Sequence, residues 1–168
     1  MISMRTMTGR ELRWVRPKFF KRSYELRSED TVVATLAFEQ QFAWGALGAA
    51  EEGTWTFGRS GFLRSQITVQ QAKTAQEVAT VSERPGRRQQ QVLLPDGTCY
   101  MIRSDFFRSR LSLETQSGEA LALIRRRGIF RMVWETEIRY SAKSNEDLPW
   151  LVLLTWYYIL IVRSRSRG

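Results

Sequence analysis

A chain of 168 residues that is 43% hydrophobic and 12% aromatic has the length and apolar content of one globular domain with a full core. Its formal charge of +9 directs it toward anionic partners: phospholipid headgroups, nucleic acid or acidic proteins. Histidine is absent and cysteine occurs once, at Cys99, which excludes Ser/His/Asp and Cys/His nucleophilic systems, His-based metal sites and an internal disulfide, and fits a reducing compartment.

The opening MISMRTMTGRELRWVRPK carries charges but no continuous apolar run of the kind a signal peptide needs, so export is not expected. Residues 1–10 read as a flexible N-terminus ahead of a single domain over 11–163. Three stretches then repeat one pattern: RPKFFKRSYEL (Arg16 to Leu26), RSGFLRSQITV (Arg59 to Val69) and RSDFFRSRLSL (Arg103 to Leu113), at spacings of 43 and 44 residues. Upstream, GTWTFGRS (Gly53 to Ser60) matches GTCYMIRS (Gly97 to Ser104). Downstream, each copy is followed by an apolar strand: TVVATLAF (Thr31 to Phe38), EVATVS (Glu77 to Ser82) and EALALI (Glu119 to Ile124). The chain reads as three related β units.

Inside the units, Tyr24 and Leu26, Ile67 and Val69, and Leu111 and Leu113 alternate with polar neighbours, the period of a half-buried strand. RSED (27–30), EEG (51–53), PDG (95–97) and QSGE (116–119) carry hairpin-turn chemistry. A last strand, FRMVWETEI (Phe130 to Ile138), precedes the loop RYSAKSNE (139–146). About four short strands per unit give about a dozen in all, the range of a closed or nearly closed antiparallel barrel, whereas three units are too few for a propeller. Glu135 and Glu137 share one face of their strand, where solvated charges are the expected reading rather than an acid/base pair. Cys99 occupies the repeat position of Leu12 and Trp55, as a packed thiol would.

From Leu148 to Val162 fifteen residues have only Thr155 as a clearly polar side chain. As a helix they span roughly 22 Å, short of the about 30 Å of a bilayer's hydrocarbon core, and Trp156, Tyr157 and Tyr158 sit in the middle rather than at the ends. A helix apolar all round is expected to be buried all round, so the segment from about 147 to 162 is predicted to fill the barrel, with Asp147 as N-cap and a basic tail over 164–168. Trp150, Leu151, Leu154, Trp156, Tyr157, Tyr158 and Ile161 are its core residues. If the helix were not buried, the chain would instead be tail-anchored.

Short antiparallel strands carrying YELRSEDTVVATLAF and GTWTFGRSGFLRSQITV, closed by LPWLVLLTWYYILIV, resemble the tubby C-terminal-like superfamily, and within it small bacterial relatives of the LURP-one-related proteins. The resemblance covers about residues 11–163. It implies a mainly β fold, an antiparallel barrel of about twelve strands around a central hydrophobic helix. Tubby domains bind phosphoinositides through basic surface residues and phospholipid scramblases share the fold, but no ligand motif transfers residue by residue. The four aspartates, Asp30, Asp96, Asp105 and Asp147, are scattered and form no calcium loop.

The recurring arginines beside Phe19, Phe62 and Phe106, and the cluster RRRGIFR (Arg125 to Arg131), make Arg59, Arg64, Arg103, Arg108, Arg125, Arg126 and Arg127 the candidate basic ligand surface. Arginine stems lying over rings as a packing element are the competing explanation. The expectation is a non-enzymatic, cofactor-free binding or scaffold module, cytoplasmic or peripheral at the inner face of the membrane, that engages anionic phospholipid. Nucleic-acid binding is the alternative.

Overall fold

A computed structural model of the chain describes residues 1–19, 21–39, 44–61, 65–84, 86–105, 109–128 and 133–166. Twelve strands follow in chain order: β1 (Glu11–Val15), β2 (Ser23–Ser28), β3 (Thr31–Phe38), β4 (Ala46–Ala50), β5 (Gly53–Ser60), β6 (Gln66–Gln71), β7 (Glu77–Ser82), β8 (Gln89–Leu93), β9 (Cys99–Ser104), β10 (Arg110–Thr115), β11 (Ala120–Arg127) and β12 (Val133–Ile138). Each pairs antiparallel with its sequence neighbour, and β1 also pairs with β12, through Glu11 to Trp14 against Glu137 to Trp134. The sheet is therefore a closed up-and-down barrel without an edge strand.

The helix α1 (Leu148–Arg165) runs inside it. Fourteen of its residues, Pro149 and Thr155 included, are buried, and all seven predicted core residues are among them. No helix is long and apolar enough to cross a membrane among the described residues. Its apolar surface is enclosed by strands, so the unburied helix on which the tail-anchor alternative depends is not what the structure shows. Inward-facing rings set the fit. Trp156 stacks on Trp14 at 4.7 Å and meets Tyr24 and Trp134 edge-on at 5.7 and 5.8 Å. Tyr157 lies against Phe38 and Phe57. Thr155, buried at mid-helix, stays satisfied because its hydroxyl donates to the Leu151 carbonyl at 2.8 Å. On β4, Gly48 is where the wall comes closest: a Cβ there would meet Phe57 at 2.7 Å and Leu153 at 3.1 Å.

Two expectations change. Residues 1–10 are not simply a frayed start: Met4–Met7 forms a 3-10 turn against α1, and Met4 and Met7 belong to the core. Two methionines separated by two polar residues are too short a pattern to read as structure. The three repeated stretches fall on corresponding connections, β1 to β2, β5 to β6 and β9 to β10. Thus Arg59 and Arg103 lie in the strands before the connection, and Lys21 precedes β2 rather than lying within it. Their facing also differs. On β5, Trp55, Phe57 and Arg59 point inward, Arg59 opposite the buried Ile67. On β9, Tyr100, Ile102 and Ser104 point inward, so Cys99, Met101 and Arg103 face out. A one-residue slip inverts every side chain of a strand. Cys99 is buried, as expected, but on the outward face, its Sγ 3.9 Å from Met101 Sδ.

Candidate functional site

An up-and-down barrel sends every second connection to the same end. One end holds the N-terminus of α1, where Asp147 accepts a hydrogen bond from Tyr100 Oη at 2.8 Å. Its connections, including residues 1–10 and 139–147, carry Arg5, Arg10, Lys73, Arg139 and Lys143 against eight carboxylates, among them the Glu29–Asp30 and Glu51–Glu52 turns. The other end surrounds the C-terminus of α1. Among the described residues its connections and the helix end carry nine Lys and Arg: Arg16, Lys18, Lys21 and Arg22 between β1 and β2, Arg84, Arg87 and Arg88 between β7 and β8, and Arg163 and Arg165 on α1. Three carboxylates, Glu39, Glu83 and Asp105, oppose them there among the described residues. Among the described residues the net positive charge is thus concentrated on one rim. Cations at a helix C-terminus also offset the partial negative charge of the helix dipole.

Apolar rings accompany the cations. Phe19 is 87% exposed, with the Arg16 guanidinium 5.5 Å from its centroid. Arg22 lies 4.3 Å over Phe38 and 5.9 Å from Trp44, and Arg163 lies 5.4 Å from Trp134. Between β1, β2, β12 and the last turns of α1 lies a cavity of about 740 Å³, floored by Trp14, Trp134 and Trp156 and rimmed by Arg16, Arg22 and Arg163. Deeper in the mouth, the carboxylate of Glu83 takes Arg59 Nε at 3.0 Å and Arg165 Nη2 at 2.7 Å, and Arg59 also donates to Ser65. That ion pair ties the wall to the end of the helix. Burial pushes the Tyr157 phenol far above its ordinary range, with Glu83 adding to the shift, so the hydroxyl stays protonated and donates to the Trp44 carbonyl.

The predicted basic residues do not gather into this site. Arg59 is a structural cation whose side chain is 18% exposed and paired with Glu83. Arg103 lies on the outer wall and pairs with Glu114 at 2.9 Å. Arg125 and Arg127 flank Glu135 on the same wall, at 3.7 and 2.9 Å. Arg126, between them, has the inward parity, opposite Trp134 at the basic rim. Arg64 and Arg108 lie outside the described residues. Among the described residues, most of the predicted set is thus held by glutamates in ion pairs and not over rings, with Arg59 alone of these having a ring, Trp44, at 6.0 Å, while the rim is built by residues that strand-by-strand reading passes over: Arg22, Arg84, Arg87 and Arg88, with Trp14, Trp44 and Trp134. Their signal is topological. Glu135, expected with Glu137 as a solvated strand-face charge, is instead buried, and burial first, then the neighbouring Glu11 across the β1–β12 pairing, raises its carboxyl above the usual range. Among the described residues no cluster of three or more Cys, Asp or Glu could hold a metal ion.

The chain matches no protein-family model, no curated protein and no solved structure.

Proposed function

We propose that the protein is a non-enzymatic binding module of the tubby C-terminal-like kind, peripheral at the inner face of a membrane, that docks on anionic phospholipid through the rim around the C-terminus of α1. The observation that carries this reading is the concentration of lysine and arginine on that one rim beside an almost fully exposed Phe19. Basic residues near an anionic surface contribute about 1 kcal/mol each, and an exposed ring adds apolar burial at the headgroup level. The closed twelve-strand barrel around a C-terminal helix supports the assignment to the tubby-like architecture.

Vesicle sedimentation tests it. Binding is expected to anionic but not to neutral vesicles, and to fall as salt rises, because exposed charges are screened beyond about 10 Å at 0.1 M. Lys18→Glu with Lys21→Glu abolishes it, whereas Lys73→Glu at the opposite rim leaves it unchanged. Equal, negligible binding to both vesicle types overturns the proposal, and tight binding to single-stranded oligonucleotides without vesicle binding replaces it with nucleic-acid recognition.

A further inference from the structure

We infer that the cavity beside the last turn of α1 is a binding site for a phosphate monoester carried on an apolar body, which gives the rim a preference among anionic lipids beyond attraction to charge. The inference rests on the membrane-docking reading of this rim. At about 740 Å³ the cavity is within the range of small-ligand sites. Three guanidinium groups from three elements border it: Arg16 follows β1, Arg22 precedes β2 and Arg163 ends the helix. Their positions are fixed. Arg16 Nε donates to the Lys21 carbonyl at 2.9 Å, Arg22 lies against Phe38, and Arg163 against Trp134. Held guanidinium forks are suited to bidentate recognition of oxyanions.

Charge stoichiometry selects the anion. A carboxylate brings one negative charge and two oxygens, whereas a phosphate monoester brings about 1.5 to 2 charges and three terminal oxygens, the better match to three cations. The helix C-terminus opposes any anion with a partial charge of about half a unit, which three full cations exceed. The floor suits an apolar body, with the stacked Trp14 and Trp156 rings beside Trp134 and Leu160.

The test compares full-length protein on vesicles containing phosphatidic acid with vesicles containing phosphatidylserine, matched for surface charge, and follows tryptophan emission. Phosphatidic acid is expected to bind about tenfold more tightly, a difference of about 1.4 kcal/mol, with a change in emission. Arg22→Gln with Arg163→Gln equalises the two lipids, while both still bind more tightly than neutral vesicles, at an affinity reduced by the loss of two rim charges. Lys73→Gln with Lys143→Gln, which removes the same charge from the opposite rim, retains it. Circular dichroism of each variant checks the fold. Equal binding of both lipids at matched charge, or an unchanged preference in the Arg22/Arg163 variant, overturns the site. Glycerol 3-phosphate supplies the soluble arm. If it shifts the emission saturably while no vesicle binds, the site stands, its source is a soluble phosphate ester, and the membrane reading fails; no response to either lipid or phosphate ester ends both.

Discussion

The phenol of Tyr100 sits where the barrel wall meets the start of α1, donating to Asp147 at 2.8 Å and accepting from Asn145 Nδ2 at 3.2 Å, while Trp150 Nε1 donates to the same carboxylate at 3.1 Å. Asp147 was legible as the N-cap from its residue type, but its side chain makes no capping bond because these partners take it. Burial and the neighbouring Asp147 push the Tyr100 phenol up to about 12. A raised acid favours the folded state while both forms are neutral. The contribution is therefore intact below pH about 10 and lost as pH climbs toward about 12, because the unfolded chain ionises first. Stability should fall steeply across that window, and Tyr100→Phe should flatten part of the fall, with Tyr157 contributing to the rest; phenolate absorbance against circular dichroism measures both. The carboxyl of Glu135 obeys the same sign lower on the scale. Raised by burial and by Glu11, it favours the folded state below its unfolded pKa of about 4.5 and loses that contribution as pH rises through its folded value. Glu135→Gln should remove this slope and leave stability at pH 7 within about 1 kcal/mol, since its partner Arg127 is half exposed. Equal slopes in the two proteins would refute the assignment.

At the scale of elements, α1 decides whether there is a core. A chain ending after Glu146 should aggregate or fail to fold, and Leu154→Asp, which places a carboxylate without a partner at a fully buried position, should unfold the domain at ordinary temperature. A soluble Leu154→Asp protein with unchanged thermal stability would contradict the enclosed helix. Gly48→Ala probes the wall from the other side. With Phe57 and Leu153 both buried, neither can retreat into solvent, and overpacking should cost about 1 to 3 kcal/mol in denaturant unfolding. Much of this level was readable in advance. The strands Thr31–Phe38 and Glu77–Ser82 begin and end where alternation and turn residues say they do. The helix was readable because a segment apolar on every side admits few other places. It runs on to Arg165, past the expected end at 162, because arginine is a good helix former, Arg165 gains Glu83, and Ser164 donates back to the Ile161 carbonyl.

For the whole molecule, the barrel was legible from repeat length and strand count, but the rim was not, because facing and end assignment depend on register. Arg59 and Arg103 occupy the same place in the repeat, yet one points into the mouth and the other to the outer wall. No repeat alignment carries that information. Register also sets where the closed wall is weakest. β7 and β8 share two register pairs, Thr80 with Leu93 and Val81 with Val92, whereas β1 and β2 share three and most neighbours four to six. Beyond Val81 the strands part, and the gap is bridged by the buried Gln90 side chain, which accepts from the Arg84 N–H at 3.0 Å and donates to the Arg84 carbonyl at 3.2 Å. Outside the gap lies a cleft of about 500 Å³ bordered by Thr80, Gln91 and Leu93. Local opening follows the fewest backbone pairs, so β7 and β8 should exchange amide hydrogens before any other strand pair. Gln90→Ala leaves the Arg84 peptide without its partner, a loss of about 1 to 3 kcal/mol, and should accelerate exchange there while β9 to β12 stay protected. Arg84, Arg87 and Arg88 connect these two strands on the basic rim, so docking on anionic vesicles should slow exchange at this seam first. Uniform protection around the barrel, with or without vesicles, would contradict both the weak seam and its link to the docking face.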